Sequence, residues 1–600
     1  MSTPLLWPPP RRWEPVSGGF VLPGSWRLDG LPAGLAQAEH AAGATAVGHA
    51  GISAGLGPGA YRLRIRPDGI LLDAGNEAGL RYGCRTLRQL AADGPFPCGV
   101  IEDAPAIAHR GVMLDISRDR IPTQRELHAL IDAVADLKGN HLQLYCEHAF
   151  AYAGHGRVWG RATPITPEEL KELDAHARRR GVVLGGNQNG LGHWERWFRQ
   201  APYDALAELD DLAAHFAQPE PGCLSLAPVL PAARGLVCDL IDQQAACLSG
   251  GIFNIGCDET ADIGRGRSRD AVAARGFAAV YAEHVSALAR HCLGRGLQPQ
   301  FWADMALDHP DALPLIPAEA VALAWGYEAD SDFARWGRVL ASSGREWWAC
   351  PGTAAWRSLG GRGDARRGSI AAAVMAVQEH GGSGILVTEW GDNGHRQQWP
   401  VAWLGLAEGL GAAWAGRGVA DGDLPALSRG AFGLDGSAEW LHALSQVEVA
   451  ARAGVPHPLR GGALSNASLP FIDSLLPWQH RGWQDQAADW HDLEAAYEEC
   501  AWERPTWADP GSAGPGAARF AAPALAAECD HAVASCRLLA RRALLRRTGD
   551  GTSSRGLAEE LHHLGVQHVR LWDQRSRPGG RGDSLARWQR LEQEAAHAAG

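Results

Sequence analysis

Six hundred residues exceed one ordinary domain and leave ample material for a buried core. Hydrophobic residues make up 46% and charged residues 21%, the composition of a soluble globular protein. A net charge of −12 with no long basic run argues against nucleic acid as the main partner.

Residues 1–18 are rich in Pro and Trp and lack the apolar core of a signal peptide. No window offers the roughly 20 uncharged apolar residues of a membrane span. A cytoplasmic protein with no membrane partner is therefore expected. Residues 1–105 read as a small α/β domain. Within it Tyr61–Ile65 and Gly69–Leu72 form a hairpin around Pro67-Asp68-Gly69, followed by a helix from Ala78 to Leu90.

From residue 106 to 420 short apolar runs alternate with amphipathic segments. The runs fall at 110–117, 141–147, 181–187, 252–258, 298–304, 320–327, 346–351 and 384–391. In Thr123 to Lys138 the residues Leu127, Leu130, Ile131, Val134 and Leu137 recur at helical spacing. Thr166, Pro167 and the acidic pair Glu168-Glu169 are an N-cap, an N1 proline and a first turn. Eight strands alternating with helices predict an α/β fold of the (β/α)8 TIM-barrel type. An open doubly wound sheet is the rival, but no Gly-rich phosphate fingerprint follows the first strand. Residues 421–600 read as a mainly helical region with breaks at 433–436 and 509–516. Its residues Trp478, Trp483, Trp490 and Trp502 are read as packing aromatics before sugar-stacking ones.

A barrel carries its chemistry at the C-terminal ends of its strands. The polar and aromatic residues converge there: Glu147 after the second strand, His193 after the third, Asp258-Glu259 after the fourth. Trp302, Trp325-Gly326-Tyr327 and Trp390-Gly391-Asp392 follow strands five, six and eight. An Asp-Glu pair on a regular strand would point to opposite faces, so both reach one pocket only if the strand ends or bends there. Such a pair can supply one ionised group and one proton donor. The twelve cysteines are scattered without a Cys-x-x-Cys pair, so buried reduced thiols are expected, with no metal and no cofactor.

Arg110-Gly111-Val112-Met113-Leu114-Asp115-Ile116-Ser117-Arg118, then Asn140 to Glu147, Gly192-His193 and Gly256-Cys257-Asp258-Glu259-Thr260, resemble glycoside hydrolase family 20, the β-N-acetylhexosaminidases. The resemblance implies retaining, substrate-assisted hydrolysis of a terminal β-linked N-acetylglucosamine or N-acetylgalactosamine. It implies that Asp258 holds the acetamido N–H and that Glu259 is the general acid and base. Glu147 and His193 would form a relay toward the acid, and Arg110 and Asp392 would bind sugar hydroxyls. Trp302, Trp325 and Trp390 would line the pocket. The family's Tyr-x-Asp after strand seven is absent, and Tyr327 is the substitute at hand. The expected partner is an oligosaccharide or glycoconjugate, with a homodimer as the one further assembly considered. Two alternatives stand: a two-carboxylate β-glycosidase acting on a sugar without an acetamido group, and a non-catalytic amino-sugar-binding protein.

Overall fold

The structure, a computed structural model, describes residues 4–39, 43–92, 94–217, 222–451, 467–478, 489–507, 522–549 and 551–598. Its N-terminal unit is a six-stranded sheet: β1 (Arg12–Phe20), β2 (Trp26–Asp29), β3 (Thr45–Ile52), β4 (Tyr61–Arg66), β5 (Gly69–Ala74) and β6 (Phe96–Asp103). The strands lie in the order β1-β6-β4-β5-β3-β2. The antiparallel β4–β5 hairpin is at its centre, and the helix Glu77–Ala91 packs Leu80, Leu87 and Leu90 into one core with Leu63 and Leu72.

Eight parallel strands then close into a barrel. They are β7 (His109–Asp115), β8 (His141–Tyr145), β9 (Val183–Asn187), β10 (Ile252–Asn254), β11 (Gln298–Trp302), β12 (Val321–Gly326), β13 (Trp347–Pro351) and β14 (Gly384–Glu389). Pairing of β14 with β7, from Gly384 opposite His109 to Glu389 opposite Leu114, completes the ring. The crossover helices begin as their caps dictate. Thr123 accepts the Glu126 amide, and Thr166 with Glu169 forms a reciprocal capping box ahead of the helix Pro167–Arg180. Inside the barrel, beneath its C-terminal rim, Gln143 bonds Gln300 at 2.6 Å and accepts from Asn187 and Asn254.

Arg110 occupies the opposite end from the expected site. It lies at the start of β7, 1% exposed. Its guanidinium donates to the carbonyls of Ile107, Ala108 and Lys138 and to the Tyr82 hydroxyl, and it lies over the ring of Trp414. The expectation that Arg110 binds sugar is therefore corrected: a residue at the N-terminal end of a barrel strand lies toward the barrel floor. Here it ties the N-terminal helix to the last barrel helix, Trp399–Ala415. Lys138 adds to that junction by bonding Asp103 at 2.8 Å.

The C-terminal helices Ala522–Thr548, Gly551–Arg575 and Arg581–Ala598 pack beside the loops that follow β7 and β14. Arg575 pairs with Glu126 and Glu528, Arg587 with Asp119, and Gln398 bonds His531. Trp490 is buried in the core, Trp478 is half-buried against it and Trp502 is 83% exposed. Trp483 and the expected break at 509–516 lie outside the described residues. No helix among the described residues is long and apolar enough to cross a membrane.

Candidate active site

β10 is shorter than the apolar run 252–258 suggests, because the backbone turns left-handed at Gly256 (φ 67°), Cys257 (φ 74°) and Glu259 (φ 51°). His193, in the loop after β9, is also left-handed at φ 62°. Such conformations cost a non-glycine residue of order 1–3 kcal/mol and persist only where the surroundings over-determine them. Two glycines make the turn possible. A Cβ on Gly256 would lie 2.5 Å from the Asn189 side chain, and one on Gly192 would lie 2.3 Å from the Asp258 carbonyl oxygen. The loops after β9 and β10 thus pack backbone to backbone, and the bend lets consecutive carboxylates meet the same groups.

Asp258 is buried. Its Oδ1 accepts from Asn189 Nδ2 at 2.7 Å, and its Oδ2 lies 3.2 Å from His193 Nε2. Burial alone would raise its proton affinity, but His193 and the bonds from His193 and Asn189 hold the carboxyl below the usual carboxylate range. His193 shifts the other way. Burial disfavours the cation, yet the Cys223 and Asp258 contacts push its pKa well above the usual histidine value. Glu259 has its side chain 47% exposed, with Oε2 3.5 Å from the same imidazole nitrogen and 3.1 Å from Cys223 Sγ. Its backbone N–H donates to Asp304 Oδ2 at 2.9 Å. Burial and the Asp258 carboxylate push Asp304 up to about 8.

Behind His193 lies Glu147, 3.8 Å from Nδ1, with Oε1 accepting from the Tyr145 hydroxyl at 3.0 Å. Burial pushes Glu147 up to about 7, against the opposing pull of Arg118 and His193. Arg118, just past β7, joins these groups: it is 3.1 Å from both Asp115 and Glu147 and 3.3 Å from His193 Nδ1. Its guanidinium lies over the rings of Tyr145 and Trp390. Arg118 belongs to the same Arg110–Arg118 motif, and the signal that separates it from Arg110 is its place past the C-terminal end of the strand rather than at the N-terminal end.

The aromatic residues form one cluster on the barrel interior. Trp302 and Trp390 are 6.0 Å apart between ring centroids, Trp325 stacks on Tyr327 at 5.2 Å, and Trp356 meets Tyr327 edge-on. Trp356, from the segment after β13, was not among the expected residues. The indole N–H groups of Trp302, Trp325 and Trp356 are buried without a hydrogen-bond partner among the described residues. A buried donor left unpaired is costly, so these three call for water or a ligand. Asp392 is half-buried, and burial raises its pKa against the pull of Arg118. Two other acids at the strand ends, which could serve as the nucleophile of a two-carboxylate mechanism, are already engaged. Glu328 pairs with Arg362 at 2.8 Å, and Glu389, 1% exposed, is bonded by Thr353 and Gln397.

Ten of the twelve free cysteines are buried; Cys223 and Cys238 are half-buried. Cys223 touches Glu259 and His193 from the connection between β9 and β10, and its spacing from the other site residues gave no signal of this.

Residues 33–104 match the model of glycosyl hydrolase family 20, domain 2. A β-hexosaminidase of Akkermansia muciniphila is 34% identical over 157 residues, which cover 22% of this chain and 32% of the relative. A β-N-acetylhexosaminidase of Cellulomonas fimi is 29% identical over 254 residues, 39% of this chain and 50% of the relative. The chain thus spans a third to a half of the length of these curated relatives. The crystal structure of a β-N-acetylhexosaminidase from Bacteroides fragilis superposes with a TM-score of 0.55 at 15% identity. It covers 69% of this chain and 91% of that one, a likeness of fold.

Proposed function

We propose that the chain, whose residues 33–104 match the model of glycosyl hydrolase family 20, domain 2, and lie ahead of a (β/α)8 barrel, is a retaining exo-β-N-acetylhexosaminidase. The observation that carries the reading is the pair of adjacent carboxylates with different surroundings. Asp258 is buried and held ionised by His193 and Asn189, while Glu259 is half open to solvent.

In the proposed reaction the substrate's own acetamido oxygen attacks the anomeric carbon and the glycosidic bond breaks. Asp258 accepts the acetamido N–H and offsets the positive charge that develops on the oxazolinium ring. Glu259 gives its proton to the leaving oxygen. In the second step it takes a proton from the water that opens the ring, so the product keeps its β-configuration. His193 charge-balances and positions Asp258, and Glu147 backs His193 from behind. Arg118 takes the role expected of Arg110, presenting guanidinium donors to sugar hydroxyls, with Asp392 as an acceptor beside it. Trp302, Trp325, Trp356 and Trp390 give apolar faces for the pyranose ring and the acetamido methyl. Tyr327, whose hydroxyl feels both Asp258 and Asp392, is the donor proposed for the acetamido oxygen. A two-carboxylate mechanism is less well supported, because Glu328 and Glu389 are occupied by Arg362, Thr353 and Gln397.

Hydrolysis of the paired p-nitrophenyl β-glycosides of N-acetylglucosamine, N-acetylgalactosamine and glucose tests the reading. Release from the N-acetylated pair alone supports it, and release from the glucoside contradicts it. The cytoplasmic location and the homodimer expected from the sequence stay within the proposal; cell fractionation and light scattering test them.

A further inference from the structure

Asp119 and Asn393 directly follow Arg118 and Asp392, the two residues proposed to hold sugar hydroxyls, and both are left-handed, at φ 69° and 58°. Such conformations are unfavourable for residues other than glycine and persist only where the surroundings over-determine them. The two loops meet at one side chain of the C-terminal helix Arg581–Ala598. Arg587 Nη2 lies 3.3 Å from Asp119 Oδ2. Both groups press on Gly394, where a Cβ would fall 2.4 Å from Arg587 Nε and 2.8 Å from Asp119 Oδ2. Gly394 is itself left-handed at φ 88°, so conformation and space both exclude a side chain there. We propose that Arg587 is a positioning residue of the active site: through Asp119 and Gly394 it sets the spacing of Arg118 and Asp392, and so how tightly the terminal sugar is held.

The loops after β7 and β14 are already stitched to each other. His395 Nδ1 donates to the Arg118 carbonyl at 2.6 Å, and the Gly391 N–H donates to Asp115 Oδ2 at 3.0 Å. Arg587 grips this pair from outside. Gly580, just ahead of the same helix, closes on the backbone: a Cβ there would lie 2.0 Å from the Asp119 carbonyl oxygen. Asp119 is thus held at its carboxylate by Arg587 and at its main chain by Gly580. Arg118, one peptide bond away, reaches Glu147 and His193.

The Arg587 contact is not needed to dock the C-terminal helices. The Arg577 N–H donates to the Ile121 carbonyl at 2.8 Å and its Nη1 to the Pro164 carbonyl at 2.8 Å, while Arg575 pairs with Glu126 and Glu528. The Arg587 and Asp119 side chains are 31% and 14% exposed, so their bond adds little to stability. Alignment is the larger effect, because a small displacement of a binding group costs turnover out of proportion to stability. The kinetic consequence rests on the reading of Arg118 and Asp392 as hydroxyl-binding groups; the clamp itself does not.

The test compares the full chain with Arg587→Ala, Arg587→Lys, Asp119→Asn and the double variant Arg587→Ala/Asp119→Asn on p-nitrophenyl N-acetyl-β-glucosaminide. Asparagine tolerates the left-handed backbone, so Asp119→Asn removes the charge alone. Arg587→Ala and Asp119→Asn are each expected to raise KM about fivefold or more with kcat changed less than about twofold. The double variant should be no worse than either single one, since both break the same interaction. Arg587→Lys keeps a cation for Asp119 and should lie nearer the unsubstituted chain than Arg587→Ala does. Each variant should melt within about 2 °C of the parent, a combination that a merely structural role would not give. Amide hydrogen exchange reads the clamp without substrate: residues 117–121 and 391–396 should exchange faster in Arg587→Ala, and strand β8 should not. Unchanged KM in Arg587→Ala, an additive double variant or unaltered exchange overturns the proposal. If the unsubstituted chain cleaves no glycoside, the hydrolase reading fails and the exchange experiment alone decides the clamp.

Discussion

His193 Nε2 lies 3.2 Å from Asp258 Oδ2, and each group shifts the other: the imidazole is kept protonated and the carboxyl ionised. The proposed reaction needs Asp258 as an anion before substrate binds. Removing its partners raises its proton affinity, so the ionised form is lost at higher pH. Asn189→Ala and His193→Asn are each expected to move the acid limb of kcat/KM upward by about one pH unit. A pH–rate profile of both variants checks this, and an unmoved acid limb refutes the coupling.

Asp258→Ala and Glu259→Gln attack the two halves of the pair. Each is expected to lower kcat by about 10²–10⁴-fold with the fold intact, since one removes charge stabilisation and the other a proton donor. Substrates with a very acidic leaving group need little protonation. They should therefore recover rate in the first step for Glu259→Gln but not for Asp258→Ala.

Arg118 and Arg110 should separate cleanly. Arg118→Ala is expected to raise KM and lower kcat/KM by about tenfold or more, because a charged donor to the sugar is lost. Arg110→Met is expected to lower stability by about 2–4 kcal/mol, through the orphaned carbonyls and the Tyr82 hydroxyl, with kinetics of the surviving folded protein unchanged. Thermal unfolding alongside initial rates distinguishes them.

Tyr327→Phe tests the substitute for the missing strand-seven tyrosine. It keeps the stacking on Trp325 and loses only the hydroxyl, so kcat on the N-acetylglucosaminide should fall about tenfold or more while thermal stability changes little. Unchanged kcat removes Tyr327 from the mechanism.

The raised acids give a stability signature. Burial lifts Glu147 from 4.5 to about 7 and Asp304 from 3.8 to about 8, so the folded state binds protons more tightly than the unfolded state. Their contribution to stability is therefore greatest at acid pH and is lost as pH rises toward these values. Glu147→Gln should flatten the decline between about pH 4.5 and 7, by at most about 3 kcal/mol. Urea unfolding at several pH values measures it.

The barrel was legible because strand and helix periods alternate eight times and the caps are local. The convergence of Asp258, Glu259, His193, Trp302, Trp325 and Trp390 was legible because strand ends of a barrel share one face. Arg110 misled because the motif does not say which of its two arginines lies at the C-terminal end of the strand. Cys223 and Trp356 were invisible, since each reaches the site from a connection whose path depends on tertiary packing rather than on any local period. The left-handed turn at Cys257 and Glu259 was foreseen only as a bend, because the sequence marks Gly256 but not the two residues that share its conformation.

The most direct test of the central claim is inhibition by a thiazoline analogue of cyclised N-acetylglucosamine. The account predicts competitive inhibition of N-acetylglucosaminide hydrolysis, about 10²-fold or more tighter than by N-acetylglucosamine itself, and weakened by Asp258→Asn. Turnover that proceeds undisturbed in the presence of the thiazoline would contradict substrate-assisted catalysis at Asp258 and Glu259.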